Sequence, residues 1–253
     1  MKLARFVYDS DVRWGVVEGE DIFSLIGSVY GEFEKGDFLC KVSEVKLLAP
    51  AEPRITVACG LNYREHVKEL KMEFSEEPTI FFKPVNTINV HEGEVIYPSV
   101  SSDLRYEAEL CCVMKKETKN VSPDEALDYV LGYTCGNDLT LMDLQLKDGN
   151  LTRSKGFDTS GPLGQFLVTG LDPQALRIRS WVNGELKQDG NTKEMIFKVP
   201  EIISFISTCI TLYPGDVVWT GTPSGGACPV KVGDVIEIEI EGIGLLRNSI
   251  KQG

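Results

Sequence analysis

The chain has 253 residues, 42% hydrophobic and 25% charged, which fits a soluble globular protein with one large domain or a large and a small one. Its net charge of −12 argues against nucleic acid or an anionic membrane as a partner, because both need a basic surface. No apolar run approaches the ~20 residues of a membrane span, and MKLARFVYDSD carries no apolar signal core or cleavage site, so a cytoplasmic location is expected.

Residues 1–48 read as a small N-terminal α/β domain. KLARFVYD and VRWGVVEG alternate apolar and polar residues, as half-buried strands do, and IFSLIG follows the turn-rich EGED. LLAPAEP, residues 47–53, has two prolines in four positions and reads as a linker to a second domain over 49–253. That domain is strand-rich. RITVACG, TIFFKP, VIYP, LRYEAELCCVM, LGQFLVTG, RSWVNGE, DVVWTGTP and DVIEIEIEG all read as strands, and Asn183-Gly184 is a hairpin turn signal. Three helices are expected. One is capped by Asn62 with Glu65 at its third position. SPDEALDYVL is capped by Ser122, with Pro123 and Glu125 completing the signal. PEIISFISTCITL is apolar enough to be largely buried. The fold class is therefore mixed α+β and rich in strand. The seven cysteines form no CxxC pair, so buried free thiols in a reducing compartment are expected rather than a zinc ribbon.

The chemistry concentrates in a few stretches. In YEAEL, Glu107 and Glu109 point to one face of a strand, with Tyr106 and Ala108 on the other. The ordinary reading is a solvated strand face. The apolar run Leu110-Cys111-Cys112-Val113 argues instead for burial on both faces, where two carboxylates need a cation or protons. Asp138, at the end of GYTCGND, offers a third acid, and three carboxylates make a hard-oxygen site for Mg²⁺ or Mn²⁺. In NYREHVKEL, His66 and Glu69 share a helical face. They are either a surface pair or a general base whose carboxylate orients the ring. His91, among turn residues, reads as an exposed loop residue. Lys155, in SKGFDTSGP, is either a solvated lysine or an oxyanion stabiliser beside a metal. In WTGTPSGG, no helix follows the glycines, which excludes a phosphate loop. Backbone amides around Gly221 and Thr222, with the Thr222 hydroxyl, can still hold a small carboxylate.

In this order, NYREHVKEL, FFKP, YEAEL, GYTCGNDLTLMDLQ, KGFDTSGPLG, WVNGEL and TGTPSG resemble the fumarylacetoacetate hydrolase family in its short, acylpyruvase-like form, over roughly residues 53–250. The resemblance implies a mixed β-sandwich roll with a small N-terminal domain, usually a homodimer. It implies a divalent metal, Mg²⁺ with Mn²⁺ or Ca²⁺ as alternatives, held by Glu107, Glu109 and Asp138. It makes His66 and Glu69 a water-activating dyad and turns Lys155 toward an enolate oxygen. Gln145 and Thr222 would contact the keto-acid end of a small 2-oxo acid or dicarboxylate. The chain departs from the family pattern at Met142, where an arginine is expected, at Leu151 in place of a tryptophan, and at Gly156 in place of a serine. The activity implied is metal-dependent hydrolysis of the C–C bond of an acylpyruvate. The alternatives on the same site are oxaloacetate decarboxylation, keto–enol tautomerisation and isomerisation of 2-hydroxyhepta-2,4-diene-1,7-dioate. An alternative of another class is a metal-binding protein without catalysis.

Overall fold

An apolar run with no polar alternation predicts a strand covered on both sides. The computed structural model describes residues 1–253, and in it Ala108–Met114 is a strand with every residue buried. Val130–Asn137 pairs with it antiparallel on one side and Val217–Trp219 on the other. Ala108, Leu110, Cys112 and Met114 belong to the main core. Cys111 and Val113 face a second core with Leu3, Ala58 and Trp219. The two-residue period therefore places Glu109 on the face of Cys111.

This strand belongs to an 11-stranded sheet. From one edge the order is Phe33–Lys41, Asp21–Gly27, Asp11–Glu18, Lys2–Tyr8, Leu167–Val168, Val130–Asn137, Ala108–Met114, Val217–Trp219, Thr56–Gly60 and Thr79–Lys83. Lys46–Leu48 pairs off this path with Lys2–Tyr8. A second sheet runs Glu185–Asn191, Arg177–Val182, Val235–Ile240, Gly244–Gln252 and Glu94–Tyr97. Its Ile178, Ile236, Ile238 and Ile250 meet Leu110 and Cys112 in the main core. The result is a β-rich, mixed α+β sandwich roll. Helices are few: α1 (Arg64–Glu69), α2 (Met142–Asp148), α3 (Thr152–Lys155) and α4 (Val199–Cys209). Only α4 is a long amphipathic element, and it buries Ile202, Ile203 and Ile206 as its apolar pattern predicts. No helix is long and apolar enough to cross a membrane. The Asn183-Gly184 turn closes a hairpin with both residues at positive φ, +52° and +80°.

Several expectations need correction. Residues 1–48 hold strands and one 3₁₀ turn, Val42–Glu44, but no α-helix. Their period-2 alternation leaves no stretch with a helical stripe. They also extend the large sheet through Lys2↔Val168 and Leu3↔Leu167. The stretch expected as a linker is packed, with Ala49, Pro50 and Ala51 buried. LGQFLVTG contributes only Leu167–Val168 as strand. SPDEALDYVL forms just a 3₁₀ turn, Ala126–Tyr129. There the Ser122 hydroxyl donates to the Glu125 carboxylate at 2.6 Å, so the two capping groups are spent on each other. Tyr63, not Asn62, is the N-cap of α1. The buried Asn62 amide instead accepts from Phe197 N–H (2.8 Å) and donates to the carbonyls of Phe197 (3.0 Å) and Thr220 (2.8 Å).

The connection after residue 51 is anchored by Asp216, which is fully buried. Its Oδ1 accepts from the N–H groups of Arg54 (2.8 Å) and Ile55 (3.0 Å), and its Oδ2 from Tyr213 N–H (2.7 Å). Asp216→Ala leaves three backbone donors without this acceptor and is expected to cost about 3 kcal/mol of stability. Urea unfolding at unchanged m-value measures this, and a loss below about 1 kcal/mol would contradict the anchoring role.

Candidate active site

The LRYEAELCCVM stretch is not one strand but two, broken at Glu107. The pairing of Ala108–Met114 with Val130–Asn137 ends at Ala108↔Asn137. Beyond it, Asp138 N–H donates to the Glu107 carbonyl (2.9 Å) and Glu107 N–H to Asn137 Oδ1 (3.1 Å). Leu104–Tyr106 then leaves to pair with Thr140–Leu141 and Cys228–Val230. The strands part where three acids lie, and one oxygen each from Glu107, Glu109 and Asp138 falls within 4.8 Å of the others. Glu109 and Asp138 are only 2% and 1% exposed. Thr140 Oγ1 donates to Glu107 Oε1 (3.1 Å) and Gly221 N–H to Glu109 Oε2 (2.8 Å). Gly221 sits at φ +91°, where a Cβ would lie 2.9 Å from Asn62 Cβ, so glycine is required for that bond. Its N–H is thereby committed to Glu109 and is not free for a ligand's carboxylate, contrary to the expected contact.

Two lysines answer these charges. Lys155, at the end of α3, has Nζ 2.7 Å from both Glu107 Oε2 and Asp138 Oδ2. Lys83, which sequence reasoning did not single out, is fully buried, with Nζ 2.7 Å from Asp138 Oδ1. It also donates to the Lys155 carbonyl (2.8 Å). Burial opposes ionisation of Asp138, but Lys155 and Lys83 outweigh it and hold the carboxyl below its usual range. Burial likewise opposes the charge of Lys155, which Asp138 and Glu107 overturn, raising its pKa. For Lys83 burial wins and its pKa is lowered. Glu109 has no lysine partner, and burial, with the charges of Asp138 and Glu107, pushes its carboxyl well above the normal range.

Three convergent carboxylates against two ammonium groups leave one negative charge when all are ionised. An all-oxygen, mostly buried donor set of this kind suits a hard divalent cation. The raised Glu109 carboxyl is the response of a site that lacks one more positive charge.

His66 lies on α1, 5% exposed, with Nδ1 3.1 Å from Glu69 Oε2. That oxygen also accepts from Gly225 N–H (3.2 Å). With Nδ1–H donated to Glu69, Nε2 is left as the basic nitrogen. The triad, Lys155, His66, Gln145, Gly221 and Thr222 all line one cavity of about 150 Å³, and Glu69 joins it through His66. Gln188, in the mostly polar strand Glu185–Asn191, gave no signal in the sequence, yet it is buried behind this wall. Its Nε2 donates to Thr222 Oγ1 (2.9 Å) and the Pro223 carbonyl (3.0 Å). Its Oε1 accepts from Ser180 Oγ (2.8 Å) and Ala108 N–H (3.3 Å). Thr222 Oγ1 therefore accepts from Gln188 and keeps its own proton to donate. His91 is not the exposed loop residue expected. It is half-buried, its Nδ1 accepts from Arg247 N–H (3.1 Å), and burial lowers its pKa.

Because Glu109 keeps its proton to higher pH in the folded chain than in the unfolded one, the stability this lends is present at low pH. It is lost as pH rises through the folded-state value. A divalent cation that replaces the proton offsets that loss. The gain in Tm on adding the cation is therefore expected to be larger at about pH 8 than at about pH 5.5, and to be mostly abolished in Glu109→Gln. Differential scanning fluorimetry reads both, and equal gains at the two pH values would contradict proton–cation exchange at Glu109.

Residues 56–251 match the family model described as fumarylacetoacetate (FAA) hydrolase C-terminal, and residues 1–50 match one described as Rv2993c-like, N-terminal. Uncharacterized protein MJ1656 of Methanocaldococcus jannaschii is 48% identical over 83% of this chain and 89% of its own length. Oxaloacetate tautomerase YisK of Bacillus subtilis is 40% identical over 86% of this chain and 77% of its own. The crystal structure of 2-hydroxyhepta-2,4-diene-1,7-dioate isomerase from Mycobacterium marinum superposes with a TM-score of 0.92, at 36% identity, over 100% of this chain and 98% of that one. Fumarylpyruvate hydrolase from Pseudomonas aeruginosa, solved with Mn²⁺ and pyruvate, superposes with a TM-score of 0.76, at 30% identity, over 82% and 92%. Sheet architecture, acidic cluster and sequence similarity agree, and the chain belongs to the fumarylacetoacetate hydrolase family.

Proposed function

We propose that this protein hydrolyses the C–C bond of an acylpyruvate, with Mg²⁺, or Mn²⁺ or Ca²⁺ in its place, held by Glu107, Glu109 and Asp138. The observation that carries the reading is the joint presence, on one small cavity, of a buried carboxylate triad and a preassembled His66–Glu69 pair. When bound, the cation supplies Lewis-acid polarisation of the adjacent oxygens of the 2-oxo acid. His66 takes a proton from water at Nε2, and Glu69 stabilises the imidazolium across the 3.1 Å contact. The hydroxide adds to the carbonyl far from the acid group. The C–C bond then breaks, its electrons passing to the pyruvate half as an enolate, while the acyl half leaves as a carboxylic acid. The Lys155 ammonium adds positive charge where the enolate oxygen develops. His66 returns its proton to the enolate carbon, so the products are pyruvate and a carboxylic acid, with one water consumed. Thr222, its hydroxyl proton free, and Gln145, on the cavity wall, orient the keto-acid end. The same reading takes the protein as a cytoplasmic homodimer.

A second reading keeps the site and omits water. His66 then moves a proton between carbon and oxygen of a 2-oxo acid, which is tautomerisation or isomerisation. The names of the Bacillus subtilis relative and the Mycobacterium marinum structure favour it.

Turnover of acetylpyruvate with Mg²⁺, set beside keto–enol interconversion of oxaloacetate, separates the two. Cleavage is expected in wild type and a fall of at least about 100-fold in kcat for His66→Ala, with no Mg²⁺ stimulation left in Glu107→Ala. Interconversion without cleavage would select the second reading. Equal rates in wild type and both variants would remove the site from the reaction altogether.

A further inference from the structure

The triad and Lys155 are gathered at one place on the cavity wall, and His66 is the one other ionisable residue on it. The rest of the wall includes six apolar residues, Leu61, Leu70, Phe81, Met142, Leu151 and Ala227. No free cation faces them. Lys155 is engaged by two carboxylates, and Lys83 lies behind the triad, off the wall. Of the basic residues on the framing elements, Arg105 pairs with Asp103, Arg153 with Asp148 and Lys68 with Glu65, while Arg64 and Lys147 are exposed and off the cavity wall.

We infer that this cavity selects 2-oxo acids whose far end is uncharged and apolar, and that Met142 and Leu151 set that preference. The inference rests on the reading of the site as one for 2-oxo acids, and names the tail it takes. A second carboxylate placed against this wall loses its hydration and gains no counter-charge. An apolar tail gains about fourfold in affinity for each methylene removed from water. The cavity, about 150 Å³, is below the ~300 Å³ at which drug-sized pockets begin, so the tail is short.

Met142 is well placed for such a role because its backbone is clamped. It opens α2, and its N–H donates to the Asp103 carbonyl (2.8 Å). The next residue, Asp143, accepts from Ser101 Oγ (2.5 Å), Ser102 N–H (3.0 Å) and Leu144 N–H (3.0 Å). The helix start is thereby tied to the segment before the triad strand, so the Met142 backbone is held in place while its unbranched side chain supplies an adaptable apolar surface.

The test compares two ligands of nearly equal shape on the Mg²⁺-loaded full-length protein by isothermal titration calorimetry. They are 5-methyl-2-oxohexanoate, which ends in an isopropyl group, and 2-oxoglutarate, which ends in a carboxylate. The wild type is expected to bind the first at least about tenfold more tightly. Met142→Arg is expected to bring the two to parity or reverse them, and Met142→Leu to keep the ratio. Leu151→Lys makes the same test from the neighbouring wall position should Met142→Arg not fold, with thermal melts reporting folding. Equal or tighter binding of 2-oxoglutarate by wild type, or an unchanged ratio in both cationic variants, would overturn the inference. A tenfold ratio without acetylpyruvate cleavage would sink the hydrolytic reading and leave this one standing. Cleavage without the ratio would do the reverse.

Discussion

Three carboxylates share a mostly buried volume at the point where two central strands part, and like charges at that spacing repel strongly in a medium of low polarity. The surrounding residues are arranged around that problem. Asp138 is held ionised between Lys155 and Lys83. Lys83 in turn has no place in the core without Asp138, because a fully buried ammonium needs a counter-charge. Glu107 shares Lys155 with Asp138 and leans on Thr140. Glu109, supported only by a backbone N–H, meets the repulsion by holding its proton. The set is therefore mutually dependent, and a divalent cation held there would complete it by supplying the positive charge that Glu109 lacks beside it.

The sandwich roll makes this concentration affordable by burying so much else around it. Ala108–Met114 is covered on both faces, which fixes which way each side chain points. Glu109 is paired across the ladder with Gly136. A Cβ there would run into Cys111 and the Trp219 ring, so the missing side chain lets Trp219 pack beneath the site. The strand break at Glu107 turns its carboxylate toward the other two. α3 then delivers Lys155, and Gln188 straps the turn carrying Thr222 to the strand carrying the glutamates.

Parts of this were legible in the amino-acid order because they obey a strict local period. The alternation in YEAEL put Glu107 and Glu109 on one face and Tyr106 and Ala108 on the other, and the cores divide along that line. The apolar run after Glu109 correctly implied burial. The buried α4 and the Asn183-Gly184 hairpin followed from equally local signals. What was hidden depended on partners far along the chain. Lys83 looks like any lysine ending an apolar strand until Asp138 arrives 55 residues later. Gln188 lies in a strand of mostly polar residues with no apolar alternation to mark it as buried. α2 begins after Leu141 without a capping side chain of its own, because Leu141 has no acceptor and Asp143, inside the first turn, divides its carboxylate among Ser101, Ser102 and Leu144 N–H. The expected helix at Ser122 failed for a similar reason, its two capping groups bonding each other.

The central claim is that Glu107, Glu109 and Asp138 form one cation site. Crystals soaked in Mn²⁺ and measured at the manganese absorption edge test it directly. A single strong anomalous peak bonded to one oxygen from each of the three carboxylates, at about 2.1–2.2 Å, is the predicted result. An absent peak at full soak, or a peak held by other residues while the triad stays closed around Lys155, would contradict it.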